Sequence, residues 1–215
     1  MDLKIIYEDA QLLVCRKPAG VATQTKRLGQ QDMESLLKNY RASKGEPSYI
    51  GVVHRLDQPV EGVMVFAKTK EAASDLSRQV QMKEADKFYY AVTDGVPVEK
   101  TGSLEDYLLR DGRTNTSKVV KEGTAGAKKA RLSYEVLAED GMHAILKIQL
   151  DTGRHHQIRV QLSHAGYPIA GDRKYNVDAV NSSGGGLKLC SYKIGFTHPK
   201  THKKMEFEIE NPYEC

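Results

Sequence analysis

Nowhere in the chain do about 18 apolar residues run together, so no segment has the length of an apolar membrane-crossing helix. The opening stretch, MDLKIIYEDAQLLVCRKP, is broken by Glu8, Asp9 and Gln11 where a secretion signal needs an unbroken apolar core. It reads as folded structure. Cysteine is scarce: Cys15, Cys190 and Cys215 are odd in number, far apart and without a Cys-x-x-Cys pair. Neither a disulfide framework nor a zinc finger is expected, and a reducing, cytoplasmic setting fits. His155 and His156 have no Glu-x-x-His companion and, on a helix, would point to different sides, which favours surface or capping roles over metal ligation. Gly184-Gly185-Gly186 is followed by no Gly-Lys-Ser/Thr, so it reads as a loop and not a phosphate cradle. There is no internal repeat and no long low-complexity tract.

What is present suffices for one full core, or a core with a small annex: 215 residues, 40% of them hydrophobic. The net charge of +4 is modest, but its distribution is uneven. Seven basic residues (Arg110, Arg113, Lys118, Lys121, Lys128, Lys129, Arg131) meet only Asp111 and Glu122 in their segment. A second cluster is His198, Lys200, His202, Lys203 and Lys204. Such patches attract phosphate backbones, and they are equally what a solvated lysine-rich face looks like.

Strands are expected at LKIIYED, QLLVCRKP, YIGVVHRLD, GVMVFAK, FYYAVTDGV, ARLSYEVLAED, HAILKIQLD, LKLCSYKIGFTHP and MEFEIENP. A helix should follow Asp32, with Met33, Leu36, Leu37 and Tyr40 at helical spacing. A second spans residues 70–82 behind Thr69, and a third runs from Arg154 to Ala165, stopped by Gly166 and Pro168. Residues 100–129 are polar and rich in Gly, Lys and Thr, and irregular exposed structure is expected there; NSSGGG reads as a flexible loop. Hairpin-like strand succession with few helices predicts an α+β fold around a mainly antiparallel mixed sheet with flanking helices.

Two stretches carry chemistry. His54-Arg55-Leu56-Asp57 places charged groups between an apolar strand and the turn QPVEG, where scaffolds present reactive groups and where ion-pair networks also close turns. Thr152-Gly153-Arg154-His155-His156-Gln157-Ile158-Arg159-Val160 opens a helix with many hydrogen-bond donors, which suits an anionic partner.

With these residues the chain resembles the RluA-type pseudouridine synthase family, in motif order along nearly its whole length. Arg16-Lys17-Pro18-Ala19-Gly20-Val21 is similar to the family's early Lys-Pro-x-Gly turn. His54-Arg55-Leu56-Asp57 with Gly62 and Ala67-Lys68 resembles its catalytic motif, and Lys87-Phe88-Tyr89-Tyr90-Ala91 its Lys-x-Tyr-x-Ala strand. Gly153 to Arg159 resembles its third motif, and Gly166-Tyr167-Pro168-Ile169 with Gly171-Asp172 the segment after it. The resemblance implies a pseudouridine synthase fold with a catalytic cleft, and a cofactor-free, metal-free RNA isomerase acting on uridines of ribosomal or transfer RNA. It implies Asp57 as catalytic carboxylate, Arg159 as its partner and Tyr89 against the target base. Arg55 would displace the uridine from its stack, with His54, Arg154, His155 and Gln157 on the RNA side. A single catalytic domain over residues 1–215 is expected, acting as a monomer, without an S4-type RNA-binding module in front. Val60 and Glu61 depart from the Thr-Ser usual after the aspartate. A synthase-like RNA-binding module without catalysis, and a glycosidase that cleaves without rejoining, are the competing readings.

Overall fold

The computed structural model describes residues 3–27, 29–180 and 185–214. In chain order its elements are β1 (Lys4–Glu8), β2 (Leu12–Lys17), α1 (Met33–Ser43), β3 (Gly51–Val52), β4 (Glu61–Ala67), α2 (Lys70–Gln81), β5 (Asp86–Asp94), β6 (Thr101–Asp111), β7 (Thr116–Val120), β8 (Lys128–Glu139), β9 (His143–Leu150), α3 (Gln157–His164), β10 (Leu189–Thr197) and β11 (Lys204–Glu208). The expected α+β class holds. Strand β2 pairs antiparallel with β1 and β4, β3 with β4 and β11 with β10. The pairings of β5 with β9, β9 with β8, β8 with β6 and β6 with β7 are antiparallel as well. The chain divides into two compact units, residues 1–87 with 191–210 and residues 88–190 with 211–215.

The first unit orders its strands β1, β2, β4 and β10, with β3 on β4 and β11 on β10. Its helices start where capping residues stop the backbone from extending. Asp32 accepts the Ser35 N–H while the Ser35 hydroxyl accepts the Asp32 N–H, a reciprocal cap on α1. Thr69 accepts the Ala72 N–H ahead of α2. The core is made by Leu12, Val14, Val63, Val65, Ala67, Ala72, Leu76, Ile194 and Phe196. Cys15 is buried, and burial pushes its thiol up to about 12, so it behaves as a small apolar side chain.

The strand expected over YIGVVHRLD is only Gly51–Val52. Beyond it, side chains replace the ladder. His54 Nε2 accepts the Val65 N–H at 3.1 Å, and Thr23 Oγ1 both accepts from the Leu56 N–H and donates to the Leu56 carbonyl. The backbone is thereby satisfied in a loop.

The second unit pairs most of β5 with β9, then β8, β6 and β7. The irregular segment expected over 100–129 is corrected: most of it is the hairpin of β6 and β7, laid against β8. That hairpin buries only a narrow face, with Leu108 and Ala130 packed beside Val160. Most of its positions are solvated and look loop-like in sequence. The strand pair around Asp140-Gly141 forms as expected, with Asp140 accepting the Met142 and His143 N–H groups. α3 starts at Gln157, not Arg154, because His156 takes a left-handed conformation (φ 55°) that a helix cannot include. Of the expected NSSGGG loop, residues 181–184 lie outside the described residues.

Candidate active site

Asp57 stands at the head of a four-residue turn closed by the Val60 N–H on the Asp57 carbonyl at 3.0 Å. The turn is anchored from below. Leu56 and Val60 are buried apolar pegs on either side of Asp57. Lys17, fully buried at the end of β2, sends its ammonium to the carbonyls of Pro18, Val21 and Gln58. A lone ammonium inside a protein is costly unless its protons are bonded, and here three acceptors satisfy them. Burial pushes the Lys17 ammonium down to about 8, while Asp57 and Glu61 pull it back up. The lysine thus ties together the two segments that flank Asp57 and places positive charge near its carboxylate.

The unusual pair after the aspartate has a structural account. Val60 is buried, and Glu61 accepts from Arg16 Nη2 at 2.7 Å across β2 and β4. Gly62 comes next at φ 135°, where an added Cβ would lie 2.2 Å from the Ser191 carbonyl oxygen. The other residues of the motif divide. Arg55 is exposed and donates to Gln24 Oε1 at 2.7 Å. His54 faces inward, and burial holds its imidazole neutral, down to about 3, with Lys87 adding to the effect.

In the second unit, the loop before α3 is held by Gln157. Its Oε1 accepts from the Thr152 hydroxyl and the Arg154 N–H, and its Nε2 donates to the Arg131 carbonyl. Arg154 Nε donates to the Lys129 carbonyl. Tyr89, on β5 opposite Ile148, is almost fully buried.

Arg159 is buried and lies in a fork with Asp172: Nε to Oδ2 at 2.7 Å and Nη2 to Oδ1 at 2.6 Å. Asp172 is in turn fixed by the Lys174 N–H. A bidentate arginine–carboxylate pair sets the plane of the guanidinium as well as its position. The Tyr175 ring lies 5.1 Å from the Arg159 guanidinium carbon. Its hydroxyl accepts the Ser117 N–H at 2.8 Å and lies within hydrogen-bond distance of His156 Nδ1, at 2.6 Å. Burial first, then the charges of Arg159, His155, Lys174 and Arg110, hold His156 neutral, down to about 2. The rings of His155 and His156 stack at 3.7 Å instead of pointing apart as expected, because the left-handed residue reverses the chain between them.

Asp57, Arg55 and His54 therefore belong to the first unit, and Tyr89, Arg154, His155, Gln157 and Arg159 to the second. Lys17 is visible in the sequence only as part of a turn. Asp172 lies beside the recognised Gly171, but nothing local marks it or Tyr175 as partners of Arg159 and His156. No group of three potential metal ligands occurs among the described residues.

Comparison with known proteins places this geometry in a class. The family model for RNA pseudouridylate synthase matches residues 11–164, which include Lys17, Asp57, Tyr89 and Arg159. The chain belongs to this family. It is 34% identical to the ribosomal large subunit pseudouridine synthase D of Neisseria meningitidis serogroup B, over 99% of this chain and 59% of that protein. It is 32% identical to an uncharacterized RNA pseudouridine synthase of Bacillus subtilis, over 98% and 69%. The chain thus spans about three fifths of the Neisseria relative's length. Among solved structures, human RNA pseudouridylate synthase domain containing 4 superposes with a TM-score of 0.81 over 97% of this chain and 88% of that one, at 23% identity. That likeness shows the pseudouridine synthase fold.

Proposed function

We propose that the protein isomerises uridine to pseudouridine in structured RNA, with Asp57 as the catalytic carboxylate. The observation that carries this reading is the family match across the segment that holds Asp57, Tyr89 and Arg159. Large-subunit ribosomal RNA is the favoured substrate, because it is named for the Neisseria relative; transfer RNA is the second. Residues 1–215 are taken as one catalytic domain, because the family match runs through parts of both units.

The target uridine must leave its stack before a side chain can reach it, at a cost of a few kcal/mol. Arg55, exposed on the aspartate loop, fills the gap and offsets part of that cost by stacking and phosphate contact. Tyr89 lies against the extruded base. The Asp57 carboxylate attacks the ribose or the base, the N1–C1′ bond breaks, and the uracil turns. A C5–C1′ bond then forms, the bond to Asp57 breaks to return the carboxylate, the C5 proton leaves to solvent and N1 takes up a proton. Electrons balance without redox chemistry. Arg159, held by Asp172, is the arginine that the family pattern assigns as partner of the catalytic carboxylate. His54 and Gln157, whose hydrogen bonds hold their own loops, position these groups; Arg154 and His155 face the RNA.

Nuclease digestion of treated ribosomal and transfer RNA to nucleosides tests the reading. Pseudouridine without free uracil is the expected product. Free uracil would instead identify a glycosidase, and unchanged uridine in every RNA offered would identify a non-catalytic binding module.

A further inference from the structure

The basic segment 110–131 is not one patch. Directly paired residues of an antiparallel ladder project from the same face, and their chain neighbours from the other. Leu109 pairs with Lys118, Tyr107 with Lys129 and Glu105 with Arg131, whereas Arg110 pairs with Ser117. On the Tyr107 face the cations meet acids. Lys129 contacts Glu105 at 2.6 Å and Arg131 contacts Asp151 at 3.1 Å, and the Asp111 carboxyl, lowered first by the Arg113 and Thr114 N–H groups, is lowered a little further by Lys118.

The opposite face, which packs Leu108 beside Val160 of α3, is different. There Arg110 Nη2 donates to Asn115 Oδ1 at 3.4 Å, and His155 Nε2 meets the same oxygen at 3.2 Å. Lys174 Nζ donates to the Asn115 carbonyl at 2.8 Å. Three side chains from three parts of the second unit converge on one neutral, exposed residue in a left-handed conformation (φ 51°). The carboxylates of that side are engaged: Asp172 holds Arg159, and Asp106 accepts from Gln161 at 2.7 Å. Among the described residues, neither Arg110 nor Lys174 has a carboxylate partner. The concentrated positive field also presses on the neighbouring His156. The like charges of Arg110 and Lys174, brought to one residue, repel each other until an anion arrives.

We propose that Arg110, Lys174 and His155, assembled around Asn115, form a subsite for a phosphodiester group of the RNA strand. The subsite rests on the RNA-modifying reading and adds to it the place where the backbone is gripped. Arginine supplies paired donors and lysine a point charge, the two complementary ways of holding a phosphate.

The test measures binding of a fluorescein-labelled hairpin transcript of large-subunit ribosomal RNA by anisotropy, over a series of salt concentrations. The double variant Arg110→Gln/Lys174→Gln is compared with Lys129→Gln/Arg131→Gln, drawn from β8 on the other face of the same sheet. All four side chains are exposed, and the melting temperature of each double variant checks its fold. The first double variant should bind about tenfold more weakly at low salt, with a salt slope reduced by about 0.7 to 0.9, as expected for one phosphate no longer neutralised. The second should bind within about twofold of the wild type. Wild-type binding and slope in the first variant would overturn the subsite, and so would equal losses in both, which would mean diffuse attraction. Because the assay reads binding, these outcomes stay separate from a failure of the isomerase reading, which is read as turnover.

Discussion

Asp172 and Arg159 form a buried, bidentate ion pair, and such pairs are costly to break from one side. Asp172→Ala should lower stability by about 3–5 kcal/mol in urea denaturation, because it removes the bidentate carboxylate from a buried guanidinium. Unchanged stability would mean that Arg159 does not depend on that carboxylate. Two histidines held neutral give a second expectation. His54 is held down to about 3 and His156 to about 2, against an ordinary value of 6.5. Below pH 6.5 the unfolded chain binds protons at these positions that the folded chain refuses, so stability falls as pH drops through that value. Where both contribute fully, the slope approaches about 2.7 kcal/mol per pH unit. Urea titrations at pH 7.5 and 5.5 would show the loss, and His54→Gln, whose Oε1 can still accept the Val65 N–H, should roughly halve it. Stability that stays flat across this interval would contradict the neutral assignment of both rings. The difference between what was legible and what was not is sharpest at this scale. Asp57, Tyr89 and Arg159 stand in contiguous motifs and could be singled out from the sequence. Lys17 could not be distinguished from a solvated lysine, since only the fold reveals three carbonyls around it. Tyr175 acts on partners 58 and 19 positions away, Ser117 and His156, and such pairings leave no local mark.

Among the elements, β4 shows how a single glycine fixes the aspartate turn. Gly62 combines φ 135° with a backbone contact that leaves no room for a methyl group. Gly62→Ala should cost about 3 kcal/mol or more, through strain and overpacking together. A thermal shift of less than a few degrees would show that β10 can move aside. Helices α1 and α2 were legible because capping residues and apolar spacing agree locally. The β6–β7 hairpin was not, because its buried face is narrow and its surface is charged on both sides. The stretch after β3 reads as strand from its β-branched residues, yet His54 and Thr23 draw its backbone bonds into a loop. That exchange of ladder for side-chain bonds is what frees Asp57 to stand at the head of a turn.

At the scale of the whole molecule, a net charge of +4 conceals a division. One face of the basic hairpin is paired with acids, while the other gathers Arg110 and Lys174 around a neutral asparagine, beside the helix that carries Arg159. The fold class is legible in strand succession, and the family in the order of four motifs. Neither the division of charge nor the fork behind Arg159 could be read before strand register was known. Asp57 is the centre of the proposed chemistry, and the most direct measurement is tritium release from ribosomal RNA labelled at uracil C5. Pseudouridine formation replaces that hydrogen, so the wild type should release tritium to water. Asp57→Asn should slow release by more than about a thousandfold while keeping the wild-type melting temperature. Release by Asp57→Asn at a rate near that of the wild type would contradict Asp57 as the catalytic carboxylate.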